Sequence, residues 1–459
     1  MSKSPLATRV KYTYGVADLF QSTMNNTSNY MFVYVLGTVM MFTNEQVLMI
    51  SGISSTVTLF CTFLTGLIVS GMPAMKWGRH RSFIYIFAPI TAACFVLKFT
   101  RVSSNAALAA ILMVGFVALG NFTSSLVSVS HAALVNVFTK DPSERGMLAS
   151  HRATCVAMAS VITSYTTVPL VEVFKKGMSE AMAYSLVAVV VVAFYLATMY
   201  YTASMAKNYE QPEVKEKPVK AERPSIKLML FCLIKNPNLI AIVIADISRF
   251  CGNLMVLGTT AYFYRYVLQD YSKMATYTLW AGIVQTCGAY TSGAMKQLSS
   301  KAKIVIGELG IAVSLTMVRL LGFSYIPAFI FLLIYRFFQG FSFSMFFTLY
   351  ADSVVYGEWK TGVFVPGFTS NMYSISARIG ETFKGWILPA ALIAINFDAS
   401  IPAEEFTMAM RTGILNVAFL MPACFRALGG IVLLLFFRLT PEKLAEYQAE
   451  IDARKAAKA

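Results

Sequence analysis

The sequence predicts an all-α integral membrane protein whose chain crosses the bilayer about twelve times. Three observations carry this. The 459 residues are 57% hydrophobic and only 13% charged, with a mean hydropathy of +0.61, where a soluble domain carries about 25% charged residues. The missing charge is concentrated in long apolar runs: Gln46 to Met75, Val102 to Thr139 and Ala181 to Ala206 contain no Asp, Glu, Lys or Arg. Each run exceeds the roughly 20 residues that cross hydrocarbon as a helix. The strict alternation over about ten residues that marks membrane β-strands is missing.

The predicted spans run over residues 14–43, 46–72, 82–100, 105–138, 147–173, 180–206, 238–268, 273–297, 303–323, 326–352, 368–396 and 409–438. The net charge of +15 would raise nucleic acid as a partner of a soluble protein. Here the cations gather in short loops, the pattern of cytoplasmic loops in membrane proteins. Lys3, Arg9 and Lys11 precede the first span; Lys76, Arg79 and Arg81 follow the second; Lys140 and Arg145 follow the fourth. The linker from Lys207 to Asn236 carries seven more, and Lys296, Lys301 and Lys303 surround the loop after the eighth span. All fall on one side, so both termini are expected in the cytoplasm of a cell bounded by a bacterial inner membrane. The seven cysteines show no CxxC pair and read as small apolar fillers. No short apolar core with a cleavage site opens the chain, so the first span serves as the insertion signal. In the tail, Thr440-Pro-Glu-Lys places an N-cap before a proline at the first helical position, which predicts a short polar helix.

The linker, rich in Pro, Glu and Lys, divides the chain into a six-span half at 1–206, a linker at 207–236, a second six-span half at 237–438 and a tail at 439–459. The halves echo one another. A basic loop follows the second span of each (KWGRHR; KQLSSKAK), and an acidic-basic loop follows the fourth (DPSERG; VYGEWKTG). Two six-helix halves are the architecture of the twelve-helix major facilitator fold, which binds its solute near the midplane between them.

Polar groups within spans are costly and face the protein interior or a wet cavity. In the first span Asp18, Ser22, Asn25 and Asn29 share one helical face, a candidate cavity lining. The Asn-x-Ser/Thr triplets at Asn25 and Asn26 lie inside that span and are chance matches to a glycosylation signal. The second span carries Ser51, Ser55, Thr58, Thr62 and Thr65, hydroxyls that can bond their own helix. The fourth carries Asn121, Ser124, Ser125, Ser128 and His131; the histidine reads as a packed residue. Arg152 opens the fifth span with no local partner. Asp246 and Arg249 are three apart in the seventh and can pair, with Asn253 continuing the face. Arg378, Glu381 and Lys384 follow at successive steps of three in the eleventh, leaving one net positive charge. Excess cations favour an anionic or hydroxyl-rich ligand, and arginine suits bidentate recognition of carboxylates. Trp280, Gln285, Tyr290 and Trp386 are candidates for the stacking and hydrogen bonds that sugar rings use.

Several ordered motifs resemble one family. Lys11-Tyr-Thr-Tyr-Gly-Val-Ala-Asp18, Lys76-Trp-Gly-Arg-His-Arg81, Asp141-Pro-Ser-Glu-Arg145 with Leu148 and Arg152, Tyr262-Phe-Tyr-Arg-Tyr266 and Ala351-Asp-Ser-Val-Val-Tyr-Gly-Glu-Trp-Lys-Thr-Gly362 are similar to the signatures of the glycoside–pentoside–hexuronide:cation symporters, from about Lys11 to about Leu444. The resemblance implies a sugar-contacting arginine at Arg152 and a basic residue at Arg378. It also marks departures. Two carboxylates that sodium-dependent members hold in the second span are replaced by Thr58 and Thr62, and sugar-binding carboxylates of the first and fourth spans by Ser22 and Ser128.

The expected function is therefore uptake of a sugar or glycoside by alternating access, leaning to an anionic one such as a hexuronide. The expected substrate contacts are Ser22, Asn25, Ser128, Arg152, Arg249, Arg378 and Lys384. No cofactor is expected. Sodium would need a compensating carboxylate, which neutral oxygens at Thr58 and Thr62 do not supply. That leaves a proton, or no ion, with Asp18 a better carrier than Asp246 beside its arginine. The alternative is a facilitator or symporter of another small anionic solute. A membrane enzyme would need clustered carboxylates or a His/Cys metal set, which three histidines and the spacing of the acids do not provide. The lipid bilayer is the only other partner expected of a monomer.

Overall fold

A computed structural model describes residues 8–71, 75–139, 144, 147–148, 151–152, 154–156, 158–159, 162–163, 167–209, 231–295, 297–343, 345–362 and 366–456. In the first half, α1 (Thr8–Thr13) leads into α2 (Val16–Tyr34), α3 (Asn44–Gly71), α4 (Arg79–Lys98), α5 (Ala106–Phe138), α6 (Val168–Phe174) and α7 (Glu180–Met205). The second half has α8 (Pro237–Tyr262), α9 (Lys273–Ala294), α10 (Ser300–Leu321), α11 (Tyr325–Phe343), α12 (Met345–Thr361), α13 (Pro366–Ala394), α14 (Met408–Leu415) and α15 (Met421–Phe436), and the tail is α16 (Pro441–Ala456). Among the described residues the only extended pairings are isolated bridges of Gly78 with Met75 and Lys76, and seven helices are long and apolar enough to cross a membrane. Most of the linker, the Asp141–Arg145 motif apart from Glu144, and much of the fifth span lie outside the described residues.

Local chemistry sets the helix starts. Asn105 Oδ1 accepts the N–H groups of Ala107 (3.0 Å) and Leu108 (3.2 Å), and Ser179 and Ser299 cap α7 and α10 in the same way. Asn236 Oδ1 accepts the Leu239 N–H at 3.0 Å, just before Pro237 opens α8. Thr440 accepts the Lys443 N–H at 3.4 Å, so the tail helix forms where its sequence placed it. One expected loop is not a loop. Val355 to Gly362 continues α12 as far as Thr361, and Gly362 then turns out at φ +70 while its N–H returns to the Glu358 carbonyl. The charges there read as a loop, but Tyr356 and Trp359 pack on Tyr447 of α16, and that contact extends the helix.

The chain forms two compact units. The first comprises residues 1–217, 258–282 and 385–410, the second 218–257, 283–384 and 411–459. In the first, α4 packs on α5 and on α7, α3 on α5, and α2 on α7. In the second, α10 packs on α11 and on α15, and α12 on α16. The α4–α5 and α4–α7 pairs of one half thus have counterparts in α10–α11 and α10–α15 of the other.

The repeat extends to an irregularity. The first span of each half ends in a π-turn, at Val35–Val39 and at Phe263–Val267. Two residues later each reaches a left-handed residue that is not glycine, Met41 (φ 56) and Gln269 (φ 57). The backbone bonds match: Met40 to Val35 and Phe42 to Leu36, Leu268 to Phe263 and Asp270 to Tyr264. Around these ends the first unit is sealed by aromatic side chains. Tyr262 donates to the Val33 carbonyl (3.0 Å), Tyr184 and Tyr271 share a hydrogen bond (3.0 Å), and Phe397 packs edge-on against Tyr262 and Tyr266. In the adjoining loop the Ser400 N–H and hydroxyl donate to Asp398, which holds that carboxyl below its ordinary range.

In the second unit, α9 and α11 cross backbone on backbone. A Cβ at Gly288 would lie 2.0 Å from the Phe337 carbonyl oxygen, and one at Gly340 would lie 1.8 Å from that of Gln285. Small residues let membrane helices approach this closely. Gly340→Ala must therefore push the helices apart, at a cost of about 1–3 kcal/mol. The expected result is a clear fall in the unfolding midpoint of the purified protein; an unchanged midpoint would contradict the crossing.

Candidate functional site

The first span delivers Asp18 to the interior of the first unit, where the carboxylate is 6% exposed. Arg152 grips it with both arms of the guanidinium: Nε donates to Oδ2 and Nη2 to Oδ1, each at 2.7 Å. Arg152 thus has a partner after all, 134 residues away in the chain, which no local pattern could reveal. Parallel bonds of this kind are strong and directional. His131, fully buried, places Nδ1 3.5 Å from Asp18 Oδ2 and stacks on Tyr14 with ring centroids 4.6 Å apart. Tyr14 donates to the His131 carbonyl. The imidazole that read as a packing residue therefore faces a carboxylate. The Arg152 side chain retains 26% exposure. Asp18 is no freer of a cationic neighbour than Asp246.

Along the same face, Ser22 is half-buried and Asn25 exposed within α2, so the Asn-x-Ser/Thr triplets lie in helix. Gln21 reaches Ser124 of α5 at 3.5 Å; Ser128, one turn on, is half-buried. Thr58 and Thr62 donate to the carbonyls of Ser54 (2.7 Å) and Thr58 (2.8 Å), so both hydroxyl protons are spent on their own helix. Asn121 Nδ2 donates to Thr58 Oγ1 at 3.1 Å, and this hydrogen bond joins α3 to α5. A residue that the sequence reading passed over completes this region. Lys98 ends α4, yet its Nζ turns inward, donates to Ser28 at 2.5 Å and lies 4.2 Å from the Phe32 ring. Helical side chains lean toward the helix N-terminus, which here means into the bundle. Lys98, Asn25, Ser28, Asn121 and Ser124 line one cavity of about 30 Å³, room for about one water.

The aromatic candidates separate. Trp386 lies flat on Gly52, where any Cβ would come within 2.4–2.5 Å of the indole, and donates to Thr56 at 3.0 Å. Trp280 and Tyr290 are exposed on the helix exterior and Gln285 is half-buried.

The second unit holds its own buried charges. Arg249 Nη2 lies 2.6 Å from Asp246 Oδ1, Tyr350 donates to Asp246 Oδ2 at 3.1 Å, and the guanidinium sits over Phe250 (4.2 Å) and Phe346 (4.4 Å). Asp246 and Arg249 thus pair as their spacing implied. Next to them lies a pair the sequence reading missed. Arg426 of α15 meets Glu308 of α10 at 2.9 Å with side chains 1% and 0% exposed, and Arg426 also approaches the Arg249 carbonyl at 3.5 Å. Asn253 accepts from Tyr335 (2.8 Å) and Gln339 (2.5 Å). Arg378 and Glu381 pair at 2.8 Å and are half-exposed, while Lys384 is buried.

Each unit thus holds salt-bridged and hydrogen-bonded polar groups inside apolar helices. The chain is similar to a putative sulfoquinovose importer of Salmonella typhimurium, 26% identical over 87% of this chain and 83% of that protein. It is also similar to a glucuronide carrier protein homolog of Escherichia coli, 24% identical over 83% and 81%. Its fold matches the crystal structure of a bacterial homolog to the human lysosomal transporter Spinster, with a TM-score of 0.67, 12% identity and coverage of 96% and 100%. A family model described as MFS/sugar transport protein matches residues 13–441. The chain is an integral membrane transporter with the major facilitator fold, and it belongs to the MFS/sugar transport protein family.

Proposed function

We propose that this transporter takes up an anionic sugar, such as a hexuronide, across a bacterial cytoplasmic membrane, in symport with protons and as a monomer with both termini inside. The observation that carries the reading is Lys98, whose ammonium turns from the helix end to Ser28 beside Asn25 and Asn121. Together with Arg152, it gives the polar face two cationic donors, and the Asp18 carboxylate offsets one of them. The relatives named for sulfoquinovose and for glucuronides, both anionic sugars, support the same choice. Within the second unit Arg378 and Lys384 remain candidate contacts for an anionic solute, while Arg249, paired with Asp246 and enclosed by aromatic rings, is the weaker candidate. Thr58 and Thr62 offer no charge to hold sodium. The Asp18 carboxylate, with His131 Nδ1 3.5 Å away, is the candidate carrier of the coupling proton.

The grip of Arg152 on Asp18 favours a second reading, a facilitator that moves the same solute with no coupling ion. Uptake of labelled glucuronate into vesicles separates the two. An imposed inward proton gradient is expected to drive accumulation. Equilibration without accumulation would support the facilitator, and accumulation driven by sodium alone at fixed pH would overturn the coupling proposed. Lys98→Gln should weaken glucuronate uptake about tenfold or more, the scale of a lost charged hydrogen bond, and leave uptake of a neutral sugar unchanged.

A further inference from the structure

A groove of the second unit lies away from every residue assigned above. It has a volume of about 640 Å³ and is bounded by the start of α8, the end of α15 and the first turns of α16. Its walls are apolar: Ile240, Ala241, Ile244, Val432 and Phe436 run along it. Ile244 and Phe436 are 42% and 58% exposed, on helices long and apolar enough to cross a membrane. At its rim stand two cations, Arg438 and Lys443.

We infer that this groove binds an anionic phospholipid, with its phosphate between Arg438 and Lys443 and an acyl chain along Ile240, Ile244 and Phe436. The two ends of the groove fit the two ends of such a molecule. The apolar wall begins where α15 leaves hydrocarbon and the cations follow directly, at headgroup depth. The cations are held in place by the fold. The Arg438 N–H donates to Asn238 Oδ1 at 2.9 Å, which fixes the turn after α15 to the start of α8. Lys443 stands on the first turn of α16, whose N-cap is Thr440. Tyr356 and Tyr447, rings 5.7 Å apart, close the rim with side chains suited to the interface. Lys301 stands nearby, but its ammonium is taken by the carbonyls of Leu434 (3.1 Å) and Phe437 (2.6 Å) at the end of α15. The acids in reach are Glu442 and Glu446, both exposed on α16; the rim stays basic because Arg438 and Lys443, not they, line the groove. A free phosphate would use the rim and leave the apolar wall in water. A zwitterionic lipid would use the wall and gain less from the rim. Basic pockets between spanning helices recognise anionic headgroups for this reason.

The test is native mass spectrometry of the full-length protein in detergent with equal amounts of phosphatidylglycerol and phosphatidylcholine, with unfolding midpoints measured alongside. The wild type is expected to retain phosphatidylglycerol preferentially and to be stabilised by it, but not by glycerol phosphate. The double variant Arg438→Gln, Lys443→Gln removes exposed charges and should keep its gel-filtration profile. It should lose about thirtyfold of that preference, equivalent to about 2 kcal/mol from two cations. Ile244→Trp fills the chain end of the groove and should lower retention of both lipids. An unchanged preference in the double variant, unchanged retention in Ile244→Trp, or stabilisation by glycerol phosphate equal to that by the lipid would each overturn the inference.

Discussion

Asp18→Asn is expected to abolish proton-driven accumulation while solute exchange across the membrane survives. The amide keeps the size of the carboxyl and can still accept from Arg152, but it cannot lose a proton, and it breaks the charge balance of a bidentate pair with both bonds at 2.7 Å. A carrier that cannot alternate between charged and neutral forms exchanges solute without concentrating it. Accumulation should fall more than a hundredfold, with exchange within about tenfold of wild type, because the transport path stays intact. Arg152→Ala should differ by losing both activities, and Arg152→Lys should restore only part, since an ammonium lacks the planar fork. Membrane insertion should be normal in all three. Undiminished accumulation by Asp18→Asn would remove Asp18 from coupling, and normal solute affinity in Arg152→Ala would remove the arginine from the site.

Glu308→Ala should cost the protein much of its stability. The change leaves the Arg426 guanidinium, 1% exposed, without its carboxylate, and breaking one partner of a buried pair costs about 3–5 kcal/mol. Arg426→Ala strands Glu308 in the same way. Replacing both by apolar residues of similar size, Glu308→Leu with Arg426→Met, should recover most of the loss, because no charge is then left without a partner. Thermal unfolding in detergent reads the series. Single changes that cost less than about 1 kcal/mol, or a double change worse than either single one, would show that the pair does not hold α10 to α15.

The sequence made the spans legible because hydrocarbon imposes length and apolarity on every one of them. The starts read at 105, 180 and 303 lie within three residues of Ala106, Glu180 and Ser300, where α5, α7 and α10 begin. The polar face of the first span was legible for the same reason, since a spacing of three and four puts Asp18, Ser22 and Asn25 on one side. Partners were not. Asp18 and Arg152, or Glu308 and Arg426, meet only because helices far apart in sequence are packed side by side. Each of Glu308 and Arg426 is a lone charge in an apolar run, indistinguishable by pattern from a helix end. Lys98 is a helix end in truth, and only the tilt of its Cα–Cβ bond shows that it points inward. The Val355–Thr361 segment misled for the opposite reason: its charges resemble a loop, and the aromatic contact that makes it helix comes from the tail.

The π-turns that close the first span of each half have a consequence for chain length. A π-turn holds one residue more than the α-turn it replaces. Val35–Val39 and Phe263–Val267 therefore each store a spare residue just before the chain reverses. Shortening the chain by one anywhere between Leu19 and Tyr34 would rotate everything before the cut by about 100° and turn Asp18 away from Arg152. The same deletion inside Val35–Val39 would be absorbed, as the wide turn closes to a regular one. The two bulges thus act as register adapters, and they make the segments next to the aromatic seal the most forgiving of length change in spans that otherwise tolerate none.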